Sequence, residues 1–177
     1  MIIYMQTKNF VLSITGPTGS GKSTVGKLVA KSFSRCVNID TDHVKHMIVS
    51  GFFDDASLPA GGDFTEWELC GESIGLLAAS FVNKGFNVVI NGTMHHTAWP
   101  KISEFVTITK KIILITDIEE NIKRDTGRIP QDIMGYRAVV EHREMFSASE
   151  FYKDWQTLNT THQSITETVL AIRHLVL

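Results

Sequence analysis

The sequence predicts an α/β domain built around a parallel β-sheet, and two observations support this fold class. Apolar runs rich in Val and Ile recur at residues 10–15, 36–39, 87–90 and 111–116, and such runs are typical of strands buried on both faces. Helix-like patterns separate these runs, as in a parallel sheet covered by helices. The 177 residues, 43% of them hydrophobic, suit a single domain over residues 1–177.

Helical patterns follow the predicted strands in chain order. We expect helices over residues 23–33, 41–49, 64–84, 118–126 and 132–146. The segment from 165 to 176 has apolar residues at helical spacing, with Ser164 as a suitable N-terminal cap. A fifth, short strand is expected near residues 155–159.

Two segments interrupt this alternation. Residues 50–63 are rich in Gly, Pro and Asp and are interpreted as a mobile loop, and residues 124–135 are charged and broken by Gly127 and Pro130. Long loops in compact domains are often lids or binding loops. Variable surface connections are the alternative, and the pattern alone leaves both open.

Charge and cysteine content narrow the class of protein. The formal net charge is −2, so the chain lacks the basic excess that a large nucleic-acid surface needs. Cys36 and Cys70 are too few for a disulfide framework and are interpreted as reduced thiols. No apolar run approaches the ~20 residues of a membrane span, and the first ten residues do not resemble a signal peptide. We therefore expect a cytoplasmic protein without a membrane partner.

The segment GPTGSGKS matches the phosphate-binding pattern G-x-x-x-x-G-K-[ST] in full, between a predicted strand and a predicted helix. Glycines let backbone N–H groups point at phosphate, and the helix presents its positive end to the same anion. Lys22 can reach the β- and γ-phosphates, and the Ser23 hydroxyl can ligate Mg²⁺. The predicted nucleotide-binding residues of this loop are Gly16, Pro17, Thr18, Gly19, Ser20, Gly21, Lys22, Ser23 and Thr24.

The segment NIDTDH ends the second predicted strand with two carboxylates, Asp40 and Asp42. They should lie at the carboxyl edge of the sheet, where open α/β sheets bind ligands, and in extended backbone they would share a face. One could hold Mg²⁺ or its water, and the other could accept a proton from a hydroxyl that attacks the γ-phosphorus. The chain is small for a motor and has no Asn-Lys-x-Asp guanine-reading segment. These features favour a phosphotransferase.

With these motifs the chain resembles the small P-loop kinases of the shikimate kinase, gluconate kinase and chloramphenicol phosphotransferase group. The resemblance rests on GPTGSGKST, IDTDHVKHMI, FNVVINGT, RDTGR and LNTTHQSITETVLAI, and it covers most of the chain. It implies a P-loop three-layer fold with a five-stranded parallel sheet in the order 2-3-1-4-5. It also implies a short lid near residues 124–135 and a substrate-binding region near residues 42–80.

The resemblance implies roles for individual residues. Asp42 matches the carboxylate taken as general base, and Asp40 matches a position associated with magnesium. Arg124 and Arg128 match lid or near-lid arginines that clamp phosphates, a task suited to a planar, permanently charged guanidinium. Ordinary surface charge on a helix is the alternative for both arginines. Arg137 and Arg143 are weaker candidates on the next helix. The segment NTTH (159–162) resembles the loop that lies near adenine in this group, and a simple helix-capping turn is its alternative.

One departure from the group concerns the end of the third strand. The group commonly has an acidic residue there, whereas VVINGT has Asn91. An amide cannot supply negative charge to magnesium. Three consequences stay open: Asp40 supplies that charge, magnesium binds more weakly, or the protein binds nucleotide and transfers phosphate poorly.

Four histidines are further candidates. His95 and His96 follow the third strand, so they either line a substrate pocket or belong to a surface loop. His43 and His46 have no known zinc spacing and are interpreted as helix residues near the acceptor pocket.

The leading hypothesis is an ATP- and Mg²⁺-dependent phosphotransferase that acts on a hydroxyl of a small molecule, such as a sugar acid or an antibiotic. Lys22, Asp42 and Arg128 are its predicted catalytic residues. A nucleotide or polynucleotide 5′-kinase and an ATP-binding regulatory module with little catalysis are the alternatives. We expect a monomer or homodimer. The sequence leaves open the identity of the acceptor and the choice between ATP and GTP.

Overall fold

The computed structural model describes residues 9–51 and 65–177. The strands in this part of the chain are β1 (Val11–Thr15), β2 (Cys36–Asp40), β3 (Asn87–Asn91), β4 (Lys110–Ile115) and β5 (Gln156–Asn159). They form one sheet in the order β2-β3-β1-β4-β5, and all four strand pairs are parallel. This sheet confirms the fold class and the strand order that the sequence and its resemblance predicted.

Helices connect these strands. Within the described residues they are α1 (Lys22–Lys31), α2 (Thr41–Lys45), α3 (Thr65–Val82), α4 (Ala98–Ser103), α5 (Ile118–Thr126), α6 (Tyr136–Ala148) and α7 (Ile165–Val176). Two short 3₁₀ turns, Pro130–Asp132 and Glu150–Tyr152, flank α6. The helix α7 begins with a capping box between Ser164 and Glu167, as expected for Ser164. No described helix is long and apolar enough to cross a membrane.

The sheet lies between two apolar layers. Along β3, Val88 and Ile90 belong to one buried cluster and Val89 to the other, because successive strand residues point to opposite faces. The first cluster includes Trp99 of α4 and residues of α3, whereas the second includes Ile172 of α7 and residues of α1. Both faces of the central strands are therefore covered, which accounts for their continuous apolar runs.

Three element predictions need correction. The helix predicted over 41–49 ends at Lys45, and the helix predicted over 132–146 begins only at Tyr136. Gly135 precedes that helix with φ 85°, a left-handed conformation that an α-helix cannot pass through. The helix α4 was not predicted, because its six residues are too short to show a period. The predicted loop at 50–63 lies outside the described residues from residue 52 onward.

The carboxyl edge of the sheet brings together the segments with candidate chemistry. The P-loop begins at Gly16, directly after β1. Asp40 at the end of β2 stands opposite Asn91 at the end of β3 in the strand register. This edge is therefore where the candidate site is built.

Candidate active site

The P-loop wraps closely between β4 and α5. Gly19 has φ +78°, and a Cβ added to it would lie 2.4 Å from the backbone oxygen of Asn121. Gly16 has φ +151°, and its added Cβ would lie 2.2 Å from the backbone oxygen of Leu114. Both positions exclude any side chain, so the tight curvature of the loop requires glycine at each of them.

Two helices hold the P-loop at Thr18. The Asn121 side-chain amide of α5 donates to the Thr18 carbonyl at 3.0 Å. The Thr18 hydroxyl forms a 2.7 Å hydrogen bond with Nδ1 of His142 on α6. These contacts fix the loop from two directions, so its backbone is organised before any ligand binds.

The amino end of α1 is suited to an anion. Gly21 is its N-cap residue, no side chain caps it, and its first turn has no acidic residue. The first N–H groups of a helix have no partner within the helix and carry partial positive charge. This end therefore presents donors to phosphate at the point where the P-loop closes.

Lys22 is buried at the start of α1, with 7% of its surface exposed. Its ammonium group donates to the Pro17 carbonyl at 3.3 Å. Burial lowers the Lys22 pKa to about 8, while the nearby charge of Asp42 acts in the opposite direction. The lysine is thus a weakly solvated cation directed back toward its own loop. Its electrostatic attraction for a phosphate bound there would be strong.

One cavity of about 370 Å³ brings predicted residues together from distant parts of the chain. Lys22 and Ser23 line it from α1, Asp42 from α2 and Arg128 from the segment after α5. We call it the transfer cavity. His142 also lines it, which places the imidazole that contacts Thr18 beside these four residues.

Asp40 and Asp42 do not share a face, contrary to the prediction. Asp40 is the N-cap of α2, and its Oδ1 accepts a 3.1 Å hydrogen bond from the Asp42 amide. The chain becomes helical at Thr41, and each helical residue rotates by about 100°, so Asp42 points elsewhere. Only Asp42 lines the transfer cavity. The pKa of Asp40 is raised, mainly because burial disfavours the charged carboxylate.

Asn91 lies at the end of β3 and is fully buried. Its side-chain nitrogen donates to Oδ1 of Asn38 on β2 at 2.8 Å. Gly26 of α1 packs against it so closely that an added Cβ would lie 2.9 Å from the Asn91 Cβ. The amide therefore ties β2, β3 and α1 together, and it is absent from the lining of the transfer cavity.

A second cavity, of about 460 Å³, lies along the other side of the P-loop. We call it the nucleotide-side cavity. Gly19, Arg124, Arg128 and Thr160 are among its lining residues. The Arg124 guanidinium donates to Glu120 at 2.8 Å and to the Thr160 carbonyl at 3.3 Å, so it is held in place. The arginine and the NTTH segment thus meet beside the P-loop.

Arg128 lines both cavities, and a buried carboxylate holds the segment that carries it. Asp125 is 1% exposed and accepts hydrogen bonds from the amides of Met134 at 3.2 Å and Gly135 at 2.8 Å. The same carboxylate lies 3.7 Å from Nε of Arg128. One side chain therefore fastens both ends of the predicted lid.

The profile of the Zeta toxin family matches residues 5–169 of the sequence. The chain belongs to the Zeta toxin family. A comparison with curated protein sequences finds no match.

Several solved kinase structures share the fold. A sugar kinase from a Janibacter species superposes with a TM-score of 0.70 at 14% identity, covering 93% of this chain and 92% of that one. A gluconokinase from Sinorhizobium meliloti gives 0.68 at 17% identity, covering 96% and 92%. A shikimate kinase from Acinetobacter baumannii, solved with shikimate, gives 0.65 at 15% identity, covering 96% and 94%. These similarities confirm the resemblance to the small P-loop kinase group at the level of fold.

The remaining candidates fall into two groups. His46 and His95 line the transfer cavity, His46 with an exposed side chain. His43 and His96 are exposed and are not among the lining residues of that cavity. In the part of the chain that the structure describes, no three His, Cys, Asp or Glu side chains cluster as a metal site would require.

The two weaker arginine candidates lie away from both cavities. Arg137 is exposed and paired with Glu141, and Arg143 donates to the Thr116 carbonyl and to Oδ1 of Asn121. No pattern in the sequence marks Asn121, Asp125 or His142, because folding brings their hydrogen-bond partners close to them.

Proposed function

We propose that the protein transfers the γ-phosphate of ATP to a hydroxyl group of a small molecule. The observation that carries this proposal is the convergence of Lys22, Asp42 and Arg128 on the transfer cavity. Arg128 also lines the nucleotide-side cavity, so a nucleotide on the P-loop would direct its terminal phosphate toward Asp42. A positioned carboxylate, a lysine and an arginine around that phosphate are the groups that phosphoryl transfer uses.

In this proposal the P-loop residues and Arg124 bind ATP. The backbone donors from Gly16 to Thr24 surround the phosphates, and Lys22 neutralises the charge of the β- and γ-phosphates. Arg124, fixed by Glu120 and the Thr160 carbonyl, lines the nucleotide-side cavity, where it would contact the bound nucleotide. Its fixed position supports a binding role, because a held side chain loses little freedom when the nucleotide arrives.

Asp42 would orient the acceptor hydroxyl and accept its proton. It lines the transfer cavity, and its Oδ1 lies 3.9 Å from Nζ of Lys45. The attacking oxygen would form its bond to phosphorus as the bond to the ADP oxygen breaks, and Lys22 and Arg128 would stabilise the charge that spreads over the phosphoryl group.

The donor set beside the P-loop fits Mg²⁺. The Ser23 hydroxyl at the start of α1 lines the transfer cavity, and Mg²⁺ commonly takes one or two protein oxygens, phosphate oxygens and several waters. A bound ion would neutralise charge on the transferred group. Asp40 would act at most through water in this arrangement, since it caps α2 and is not among the residues that line the cavity.

The charges in the transfer cavity favour an acceptor that carries a negative group. Lys22 and Arg128 face the phosphates in this proposal, but Lys45 is a further cation in the lining, and Asp42 is the one carboxylate among the described lining residues. Trp67 adds an aromatic surface, with Nζ of Lys45 5.3 Å from its ring centre. A hydroxylated acid, such as a sugar acid, combines the hydroxyl and the anion that these residues would bind.

A kinase screen over a metabolite panel tests the proposal, with mass spectrometry to detect the phosphorylated product. We expect a product from a hydroxylated acid in the presence of ATP and Mg²⁺, and at least about a hundredfold less of it from the Asp42→Asn variant. Sugar acids, antibiotics, nucleosides and oligonucleotide 5′-ends form separate arms. A product only in the oligonucleotide arm would favour the 5′-kinase instead.

Asn91 favours one other function, an ATP-binding module with little catalysis. Because Asn91 has an uncharged amide, which donates to Asn38, this position offers no carboxylate to magnesium. Tight ATP binding in calorimetry, without transfer to any acceptor and without hydrolysis, would select that function. The single-domain boundaries, the lid at 124–135, the cytoplasmic location and the monomeric or homodimeric state stay predictions.

A further inference from the structure

A third cavity, of about 430 Å³, lies under α6 against β4 and β5. We call it the α6 cavity. Its walls are largely apolar and include Ile113, Ile115, Ile118, Val140 and Phe146. None of its lining residues lines the transfer cavity or the nucleotide-side cavity. Its volume is within the range of small-molecule sites, about 300–1,000 Å³.

The α6 cavity contains one cation, Arg143. Its guanidinium donates to two neutral acceptors, the Thr116 carbonyl and Oδ1 of Asn121, the latter at 2.7 Å. None of the ion pairs in the described part of the chain involves Arg143. Glu144 also lines the cavity but is exposed, and it does not pair with this arginine. A half-buried guanidinium without a carboxylate keeps donors and charge for an incoming anion.

The α6 cavity also touches the structures that hold the P-loop. Pro17, the second residue of that loop, forms part of its wall. Asn121 accepts from Arg143 and donates to the Thr18 carbonyl at 3.0 Å. A molecule bound to Arg143 would therefore act on the hydrogen bond that positions Thr18.

We propose that the α6 cavity binds a small anion with a flat apolar body, such as an aromatic carboxylate, and that its occupancy weakens nucleotide binding. Arg143 would bind the anionic group, and the aliphatic wall would enclose the apolar body. An anion that draws Arg143 away from Asn121 would loosen the support of the P-loop. The effect on nucleotide rests on the proposed binding of ATP at that loop, whereas the binding of the anion does not.

Isothermal titration calorimetry with 2-naphthoate tests the binding, with neutral 2-naphthamide as the matched probe. We expect 2-naphthoate to bind the wild-type protein at least about tenfold more tightly than the amide, as hydrogen bonds to a charged group warrant. Equal affinity for the two probes would overturn the role of the cation, and no binding of 2-naphthoate would overturn the site.

Variants of residues that line the α6 cavity test whether 2-naphthoate binds there. Arg143→Gln should weaken 2-naphthoate about tenfold, and Arg143→Lys should retain part of the affinity, because a lysine keeps the charge. Arg137→Gln is the matched control on the same helix, since Arg137 is 91% exposed and outside the cavity. Ser147→Trp changes an exposed lining residue and should block the cavity. Wild-type affinity in both Arg143→Gln and Ser147→Trp would place the probe elsewhere and overturn the proposal.

The coupling is measured by titrating ATP with and without saturating 2-naphthoate. We expect the ATP Kd to rise about threefold and then to stay constant as more probe is added, with ATP weakening the probe by the same factor. A Kd that rises without limit would show that the probe occupies the nucleotide site, and an unchanged Kd would contradict the coupling. If ATP itself failed to bind, the proposed function would be wrong. The 2-naphthoate titration would still test whether the α6 cavity binds an anion.

Discussion

The two cavities around the P-loop are built in different ways. The nucleotide-side cavity is lined from three segments, and its largest part is the continuous P-loop with the start of α1. Arg124 in that cavity is held by Glu120 one helical turn away and by the Thr160 carbonyl. The transfer cavity collects residues from at least five separate segments, and its contact between Thr18 and His142 joins residues 124 positions apart. The comparison teaches that a continuous motif can encode the phosphate-binding part of the proposed nucleotide site, whereas the proposed acceptor site depends mainly on tertiary structure.

The largest expected effect is a loss of phosphoryl transfer without a loss of ATP binding, which distinguishes the transfer cavity from the nucleotide-side cavity. Asp42→Asn removes the proposed proton acceptor while keeping the shape of the side chain, so phosphoryl transfer to a confirmed acceptor should fall about 10²–10⁴-fold. The ATP Kd from calorimetry should stay within about threefold, because Asp42 is not among the lining residues of the nucleotide-side cavity. Wild-type turnover by this variant would remove Asp42 from the mechanism.

A glycine pair tests whether the P-loop depends on its tight packing. Gly19→Ala places a methyl group 2.4 Å from the Asn121 oxygen, so the loop must shift and ATP should bind at least about tenfold more weakly. Gly85→Ala is the matched control, since Gly85 has a similar φ of +80° but no atom within 4 Å of an added Cβ. Both variants share the backbone strain, so equal ATP affinity in the two would refute the packing explanation.

Two carboxylates on α5 each hold a different arginine, so variants of these carboxylates test Arg124 and Arg128 separately. Asp125→Asn weakens the hold on Arg128 and on the amides of Met134 and Gly135, so transfer should slow about tenfold. Glu120→Gln loosens Arg124 and should raise the ATP Kd by about fivefold with less effect on kcat. Asp125→Asn should therefore change mainly kcat, and Glu120→Gln mainly the KM for ATP. The same kinetic change in both would show that the arginines do not have separate tasks.

The smallest expected effect is a pH dependence set by Lys22. Its pKa is lowered to about 8, so the fraction that carries a proton falls about fourfold between pH 7 and pH 8.5, and ATP affinity should fall with it. Lys22→Arg keeps its charge in this range and should show a flat profile. Calorimetry across this range makes the comparison, and a parallel decline in the arginine variant would assign the pH dependence to another group.

The lowered pKa of Lys22 also affects the free energy of unfolding, and this effect of rising pH has the opposite sign to the effect on ATP affinity. The folded Lys22 holds its proton less tightly than the unfolded chain does, so between pH 8 and pH 10.5 the unfolded state binds more protons. This group therefore makes the folded protein more stable as pH rises through that window. Comparing wild-type and Lys22→Met unfolding curves would isolate the contribution.

The sequence predicted the sheet and the P-loop because both depend on local patterns. Apolar runs identify buried strands, and the motif from Gly16 to Ser23 has a single structural context. Asp125 and His142 could not be predicted from one sequence, since their partners are defined only after the chain folds. Asp40 was placed at the right edge of the sheet, but its capping of α2 depends on where the helix begins, a boundary that composition does not determine.

The carboxylate of Asp125 has a consequence for the entropy of binding. It reaches the Gly135 amide ten residues further along the chain, so the segment between them is a loop already closed at both ends. Closing a free loop of this length costs about 2 kcal/mol in chain entropy, apart from a constant. Because folding has already met that cost, Arg128 can be ordered around a phosphate with a smaller loss of freedom than an untethered lid would suffer.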